Sequence, residues 1–67
     1  MQAKSPDDYL EPMEYVKAAT GLQKSMIYQK INDGSFPRPV KIGWVSRWSR
    51  REVQEWVRAR LQERAAA

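Results

Sequence analysis

Apolar residues near the start of the chain recur at a spacing that favours a helix. Met13 and Val16 lie three residues apart, and Gly21 follows the pattern. This spacing predicts a helix with one buried face, and a glycine just past the last turn is typical of a helix C-terminus. Pro12 suits the first turn, where its missing N–H is not needed. The first helix is therefore predicted over residues 12–20.

A second amphipathic segment follows this glycine almost at once. Ile27 and Ile31 lie four residues apart and define the buried face of a helix predicted over residues 24–33. Gly34 ends it. Two helices joined by a tight glycine turn match the helix-turn-helix plan.

The pattern then changes to a period of two, which is typical of strands. Segment 35–39 contains two prolines separated by one residue, and this forces an extended path. Val40 and Ile42 alternate with a lysine and predict a short strand. Gly43 begins a turn, and residues 45–48 return as the second strand. We refer to this predicted hairpin, residues 40–48, as the wing.

A serine and a glutamate mark the start of the last helix. Ser49 with Glu52 three residues later forms a capping box, a signature of a helix N-terminus. The helix after it carries an apolar stripe at helical spacing, made of Val53, Trp56, Val57 and Leu61.

Three aromatic side chains are assigned to the core: Phe36, Trp48 and Trp56. The arginines from Arg50 and Arg51 onward are expected to be solvated.

These elements predict a mainly α fold with a small β-hairpin, in the order helix, helix, hairpin, helix. This is a winged helix-turn-helix. Residues 1–8 are polar and lack periodicity, so they are expected to form a flexible tail. The domain proper is predicted over residues 9–63, with a frayed C-terminus at 64–67.

The charge is concentrated in the middle of the chain. The net charge is +4, and residues 16–50 hold seven basic residues against one acidic residue. Residues 1–15 are net acidic, and residues 51–67 are nearly balanced. A basic excess confined to one segment favours a polyanionic partner, although an ordinary solvated surface is the alternative.

Composition excludes several kinds of catalytic site in this chain. It contains no cysteine and no histidine, which removes disulfides, thiolate chemistry and imidazole metal sites. No catalytic cluster or phosphate-binding glycine loop is present, so no enzyme activity, metal, cofactor or small-molecule ligand is expected. The sequence has no apolar run long enough to indicate a membrane helix, and the N-terminus lacks a secretory signal pattern. A cytoplasmic protein is the expectation.

Three motifs occur in a fixed order: TGLQKSMIY at 20–28, GSFPRPVKIG at 34–43, and Trp48 followed by EVQEWV at 52–57. Together they make the chain resemble the AlpA family of small phage and prophage regulators, over about residues 9–62. That family is related to excisionases and to the DNA-binding domain of MerR proteins. The resemblance implies a winged helix-turn-helix whose second helix is the recognition helix. It also implies regulation of prophage or integrase genes, or help in excisive recombination, by binding specific double-stranded DNA without cutting it.

Two positions depart from the family pattern. Gln23 stands where the family usually has a serine that caps the recognition helix, so that cap is expected to be weaker. Lys30 stands where a leucine is usual, and we interpret it as an exposed residue and an added phosphate contact.

A recognition helix presents polar and basic side chains to the major groove. In the second helix these are Lys24, Ser25, Tyr28 and Gln29. The wing and its base add Arg38, Lys41, Trp44, Ser46 and Arg47 as candidate contacts to phosphate or the minor groove.

Trp44 leaves three alternatives open. It could lie along the sugar–phosphate backbone, pack on a neighbouring protomer, or fold back onto Tyr15 or the Pro37/Pro39 surface. One module of this size buries little surface on DNA, so dimers or cooperative arrays on repeated sites would raise its occupancy. The alternative function is a protein-interaction module, such as an anti-repressor that binds another regulator.

Overall fold

Three helices and three short strands make up the computed structural model, which describes residues 8–66. In chain order they are β1 (Leu10–Glu11), α1 (Met13–Thr20), α2 (Lys24–Asn32), β2 (Val40–Ile42), β3 (Val45–Ser49) and α3 (Arg50–Ala66). The predicted winged helix-turn-helix is confirmed. Residues 1–7 of the predicted tail and residue 67 of the predicted frayed end lie outside the described residues.

The turn between α1 and α2 depends on a glycine, as the sequence predicts. Gly21 adopts a left-handed conformation with φ of 73°, and its N–H donates to the carbonyl of Lys17 at 2.7 Å. Other residue types rarely adopt this conformation without strain. At the other end of α1, the carbonyl of Pro12 accepts hydrogen bonds from the N–H groups of Tyr15 and Val16. Pro12 therefore precedes the helix and does not form its first residue.

The strands form one antiparallel sheet with β3 at its centre. β2 pairs with the first half of β3, and Val40 lies opposite Arg47. β1 pairs with the second half, and Leu10 lies opposite Ser49. β1 was not predicted from the sequence, because a strand of two residues is too short to show a periodic pattern.

Each helix, β3 and the loop between α2 and β2 contribute one side chain to the core. The five buried residues are each at most 4% exposed: Val16, Ile27, Phe36, Trp48 and Val53. The core positions predicted for Phe36 and Trp48 are confirmed. The indole N–H of Trp48 is buried and has no hydrogen-bond partner among the described residues.

Trp56, which the sequence assigns to the core, lies at the edge of it. Its ring is half-buried and packs edge-on against Phe36, with ring centroids 5.0 Å apart. Its indole N–H donates to the carbonyl of Ser35 at 2.6 Å. The apolar stripe then becomes exposed further along α3, and Leu61 is 50% exposed. Leu61 continues the predicted apolar stripe but is not covered, because α3 extends past the elements that cover its first turns.

The N-terminus of α3 is capped by two side chains. The Ser49 hydroxyl accepts the N–H of Glu52 at 3.1 Å, which confirms the predicted cap. The same hydroxyl donates to the carboxylate of Asp8, 2.9 Å from each oxygen, and this carboxylate also accepts the N–H of Arg51. These bonds, first that from Arg51 and then that from Ser49, lower the pKa of Asp8. Asp8, at the end of the predicted tail, is thus bound to the domain.

The first arginines of α3 also bind the N-terminal segment, although they were expected to be solvated. Arg50 donates through Nε to Glu11 at 2.7 Å, and its guanidinium lies 4.5 Å from the centre of the Tyr9 ring. The Glu11 carboxylate raises the pKa of Arg50. Arg51 pairs with Asp8 at 3.7 Å. The sequence pattern missed these contacts because they join segments about 40 residues apart, as in the Arg50–Glu11 pair.

Candidate nucleic-acid interface

The surface of α2 that faces away from the core is a polar ridge. Gln29 lies two residues after the buried Ile27, and therefore about 200° around the helix from it. Ser25 and Asn32 lie four residues before and three after Gln29, and all three side chains are exposed. Ser25 and Gln29 were predicted site residues. Asn32 was missed, although helical spacing from Gln29 would have identified it.

The N-terminus of α2 is open to solvent. Gln23 occupies the cap position and makes no side-chain hydrogen bond to the helix, as expected for the weaker cap. Lys24, Ser25 and Met26 of the first turn are exposed. Backbone N–H groups at a helix start lack partners within the helix, so this end can accept an anion. Met26, 41% exposed, is a second ridge residue that the sequence analysis missed.

The two flanks of α2 face different structures. Tyr28, on one flank, packs edge-on against Trp48 of β3, with ring centroids 6.3 Å apart. Lys30, about 200° further round the helix, lies on the other flank. There it lines a groove of about 650 Å³ between the ends of α1 and α2 and the second half of α3. Lys30 is half-buried in this groove, whereas the sequence analysis expected an exposed position.

One face of the wing is polar and lies on the same side of the sheet as α2. Lys41 is opposite Ser46, and its Nζ donates to the serine hydroxyl at 3.1 Å. Alternate residues of a strand share a face, so Ser46 and Trp48 point to the same side. Because Trp48 packs on Tyr28, this side is the one that faces α2. The structure therefore places Lys41, Ser46 and Tyr28 on one side of the sheet.

The other face of the wing is mostly apolar. Val40 and Ile42 of β2 and Val45 of β3 are 39–52% exposed. Arg47 lies opposite Val40 on this face, and its guanidinium donates to the carbonyl of Ser46 at 2.9 Å. Arg47 and Lys41, both predicted phosphate contacts, thus lie on opposite faces of the sheet. Arg38 is exposed in the loop before β2.

Trp44 projects from the turn of the wing and is 97% exposed. The interpretation that its ring folds back onto Tyr15 or the Pro37/Pro39 surface is wrong, because such packing would cover most of the ring. Gly43 next to it adopts a left-handed conformation in this turn, with φ of 62°. Contact with DNA and contact with another protomer stay open for this residue.

The cations of the α2 ridge and of the polar wing face form no ion pair with an acidic side chain among the described residues. Among the described residues, the ion pairs lie at Arg50–Glu11, Arg51–Asp8 and Arg60–Glu63, all outside this surface. Asp33, just after α2, is bound by the hydroxyl and the N–H of Ser35, and these bonds lower its pKa. The positive charge of Lys24 and Lys41 is therefore available to a polyanion.

Two other kinds of site are absent from the part of the chain that the structure describes. No cluster of three or more acidic side chains in residues 8–66 could hold a metal ion. None of the helices in this part of the chain is long and apolar enough to cross a membrane.

Comparison with known families gives a match over most of the chain. A family model described as the prophage CP4-57 regulatory protein (AlpA) matches residues 12–61. This range includes all of α1, α2 and the wing and most of α3. No curated protein and no solved structure matches the chain.

Proposed function

Because this chain belongs to the AlpA family of prophage regulatory proteins, we propose that it binds a specific double-stranded DNA sequence and catalyses no reaction. The observation that carries the proposal is the position of the α2 ridge beside the polar face of the wing, with no ion pair among the described residues on either surface. A single helix fits the major groove, and an adjacent hairpin can then reach the flanking backbone or minor groove.

The α2 ridge supplies the contacts that would read bases. Side-chain amides such as those of Gln29 and Asn32 can donate to and accept from the edge of adenine at once. Met26 offers an apolar surface suited to a thymine methyl group. Ser25 and the open N–H groups at the start of α2 suit a phosphate, and Lys24 beside them adds charge.

The wing supplies contacts that position the domain on the duplex. Lys41 is exposed, and its bond to Ser46 can be exchanged for one to a phosphate oxygen. Tyr28 places its ring between the ridge and the wing, where its hydroxyl can reach the backbone. Lys30, Arg38 and Arg47 lie around this surface, and we include them as peripheral phosphate contacts.

On this proposal the protein acts on the bacterial nucleoid, in the cytoplasm of the host. It would control transcription of prophage or integrase genes, assist excisive recombination as an excisionase, or do both. Each role requires the same DNA-binding surface.

Selection of bound sequences from random double-stranded DNA tests the proposal, followed by three variants on the selected site. Gln29→Ala should lose preference at one base pair, with a cost of about 1–3 kcal/mol. Lys41→Ala should weaken binding to all DNA sequences alike, and it should reduce the slope of log affinity against log salt concentration by about one. Gln62→Ala, an exposed glutamine on α3, is the control and should change neither.

Two results would contradict the proposal. One is that the protein binds no DNA even at low salt, which would favour the protein-interaction alternative. The other is equal weakening by Gln29→Ala and Gln62→Ala, which would place the base contacts elsewhere.

A further inference from the structure

The chain carries an apolar projection and an apolar groove that do not meet within one molecule. The projection, which we call the wing-tip patch, consists of Ile42, Trp44 and Val45. Trp44 is 97% exposed, and the other two side chains are 52% and 39% exposed. Large apolar groups exposed together on a small domain indicate a contact surface.

The groove has the complementary character. Its apolar lining comes from Leu22 after α1 and from Trp56, Val57 and Leu61 of α3. At about 650 Å³ it is within the usual size range of protein binding pockets, and it is open to solvent. On its rim, Arg60 stacks 4.9 Å from the centre of the Trp56 ring and pairs with Glu63 at 2.5 Å. This pair is neutral overall, and Lys30 adds one positive charge to the lining of the groove.

The two surfaces lie on opposite flanks of the proposed recognition helix. The wing is on the Tyr28 flank, and the groove is on the Lys30 flank. Copies placed side by side with α2 in the major groove would therefore present the wing of one copy to the groove of the next. A projection that fits a pocket elsewhere on the same chain generates a head-to-tail contact that does not close.

We propose that the wing-tip patch of one copy docks into the groove of a second copy bound to the adjacent DNA site. The proposal rests on the proposed DNA-binding function and specifies how neighbouring copies cooperate. The β-branched residues of the wing-tip patch favour contact with protein over contact with DNA. Ile42 and Val45 lie on the face of the sheet opposite Lys41, where a phosphate backbone would offer them no apolar partner.

The size of the patch determines when the contact forms. An exposed indole can bury about 200 Å², and the two half-exposed β-branched side chains add less than this. The total is well below the roughly 800 Å² per partner of a typical stable interface. The contact is thus too small to hold copies together in dilute solution. On DNA, neighbouring sites raise the effective concentration to the millimolar range, where a contact of this size is occupied.

The first experiment compares binding of the full chain to DNA that holds one or two adjacent copies of its selected site. The wild type should bind the pair cooperatively, by about tenfold. Trp44→Ser and Leu61→Gln should each abolish the cooperativity and leave single-site affinity unchanged, and the double variant should be no worse than either. Both positions are at least half exposed, so the fold should tolerate the changes. Gln62→Ala is again the control.

Mixing the two variants tests the direction of the contact. A Leu61→Gln copy retains its indole, and a Trp44→Ser copy retains its groove, so a mixed pair in one orientation keeps a complete contact. The mixture should recover part of the cooperativity that each variant lacks alone. A symmetric contact between two wings would not recover it.

Several results would overturn the proposal. Loss of single-site affinity in Trp44→Ser would assign the indole to DNA. Cooperativity that survives both substitutions would place the interface elsewhere. Loss of cooperativity only on deletion of residues 2–7 would assign the groove to the N-terminal segment.

A second readout needs no DNA, so it separates failure of this proposal from failure of the proposed function. The chain has no cysteine. A variant with both Ile42→Cys and Leu61→Cys, oxidised at about millimolar concentration, should form a disulfide-linked ladder of chains. Each single variant should cross-link far less, because the contact joins position 42 to position 61 and does not bring two copies of the same position together. Absence of the ladder would overturn the docking contact even if the domain binds DNA as proposed.

Discussion

Replacing Ser49 by alanine removes a hydroxyl that serves two segments of the fold. It accepts the N–H of Glu52 at the start of α3 and donates to the carboxylate of Asp8. Loss of an N-cap side chain costs about 0.5–2 kcal/mol. We expect about 1.5 kcal/mol here, in the upper part of that range, because the Asp8 carboxylate loses a donor at the same time.

This cost is large for so small a domain. Proteins are stable by roughly 0.05–0.15 kcal/mol per residue, which is about 3–10 kcal/mol for this chain. One kcal/mol shifts the Tm of a domain of this size by about 4–8 °C. Ser49→Ala should therefore lower the Tm by about 9 °C. Thermal and urea unfolding followed by circular dichroism measure the change.

Ser25→Ala is the matched control, since Ser25 is an exposed serine in the first turn of α2 and lies far from this network. Its Tm should stay within about 4 °C of the wild type, because surface substitutions change stability by about 0.5 kcal/mol or less. If Ser49→Ala costs no more than Ser25→Ala, the reasoning that the hydroxyl caps α3 and anchors residue 8 is refuted.

Two further predictions concern the N-terminal anchor and the core. Asp8→Asn should lower the Tm at pH 7, and the difference from wild type should shrink as the pH falls below 3.8. The fold lowers the pKa of this carboxyl from 3.8, so its stabilising effect is present above that value and is lost as the pH falls through the folded pKa; a difference that stays constant down to pH 2 would contradict it. Ile27→Val should cost about 0.5–1.5 kcal/mol and Ile27→Ala about 2–5 kcal/mol in urea unfolding, because Ile27 is fully buried beneath the α2 ridge. Val40→Ala, at a half-exposed valine, is the control, and a loss there equal to that of Ile27→Ala would refute the burial argument.

The helices and the wing could be predicted because their signals are local. Gly21 marks the turn between the first two helices, and the prolines before β2 exclude a helix there. Ser49 with Glu52 marks the start of α3. Each of these features acts within a few residues of itself, so the sequence alone is sufficient to place it.

The parts that were missed depend on contacts between distant segments. β1 exists because it pairs with β3, and Arg50 is held by Glu11, which lies 39 residues away. The exposure of Leu61 depends on where the covering elements end. The faces of Lys41 and Arg47 follow from strand register, and a shift of one residue would exchange them. Of the candidate site, the residue types on α2 could be predicted, but the division of the wing into two faces could not.

The pairing of β1 with β3 also has a consequence for the order of folding. The helix pair and the hairpin close over short stretches of chain, whereas Asp8 reaches Ser49 across 41 residues. Closing a long loop costs entropy before its contacts form, so the N-terminal strand should be added to a hairpin and helices that have already assembled. Interactions formed after the transition state slow unfolding and leave the folding rate nearly unchanged. The N-terminal strand should therefore lengthen the lifetime of the assembled domain by slowing its unfolding, and it should have little influence on how quickly the domain forms.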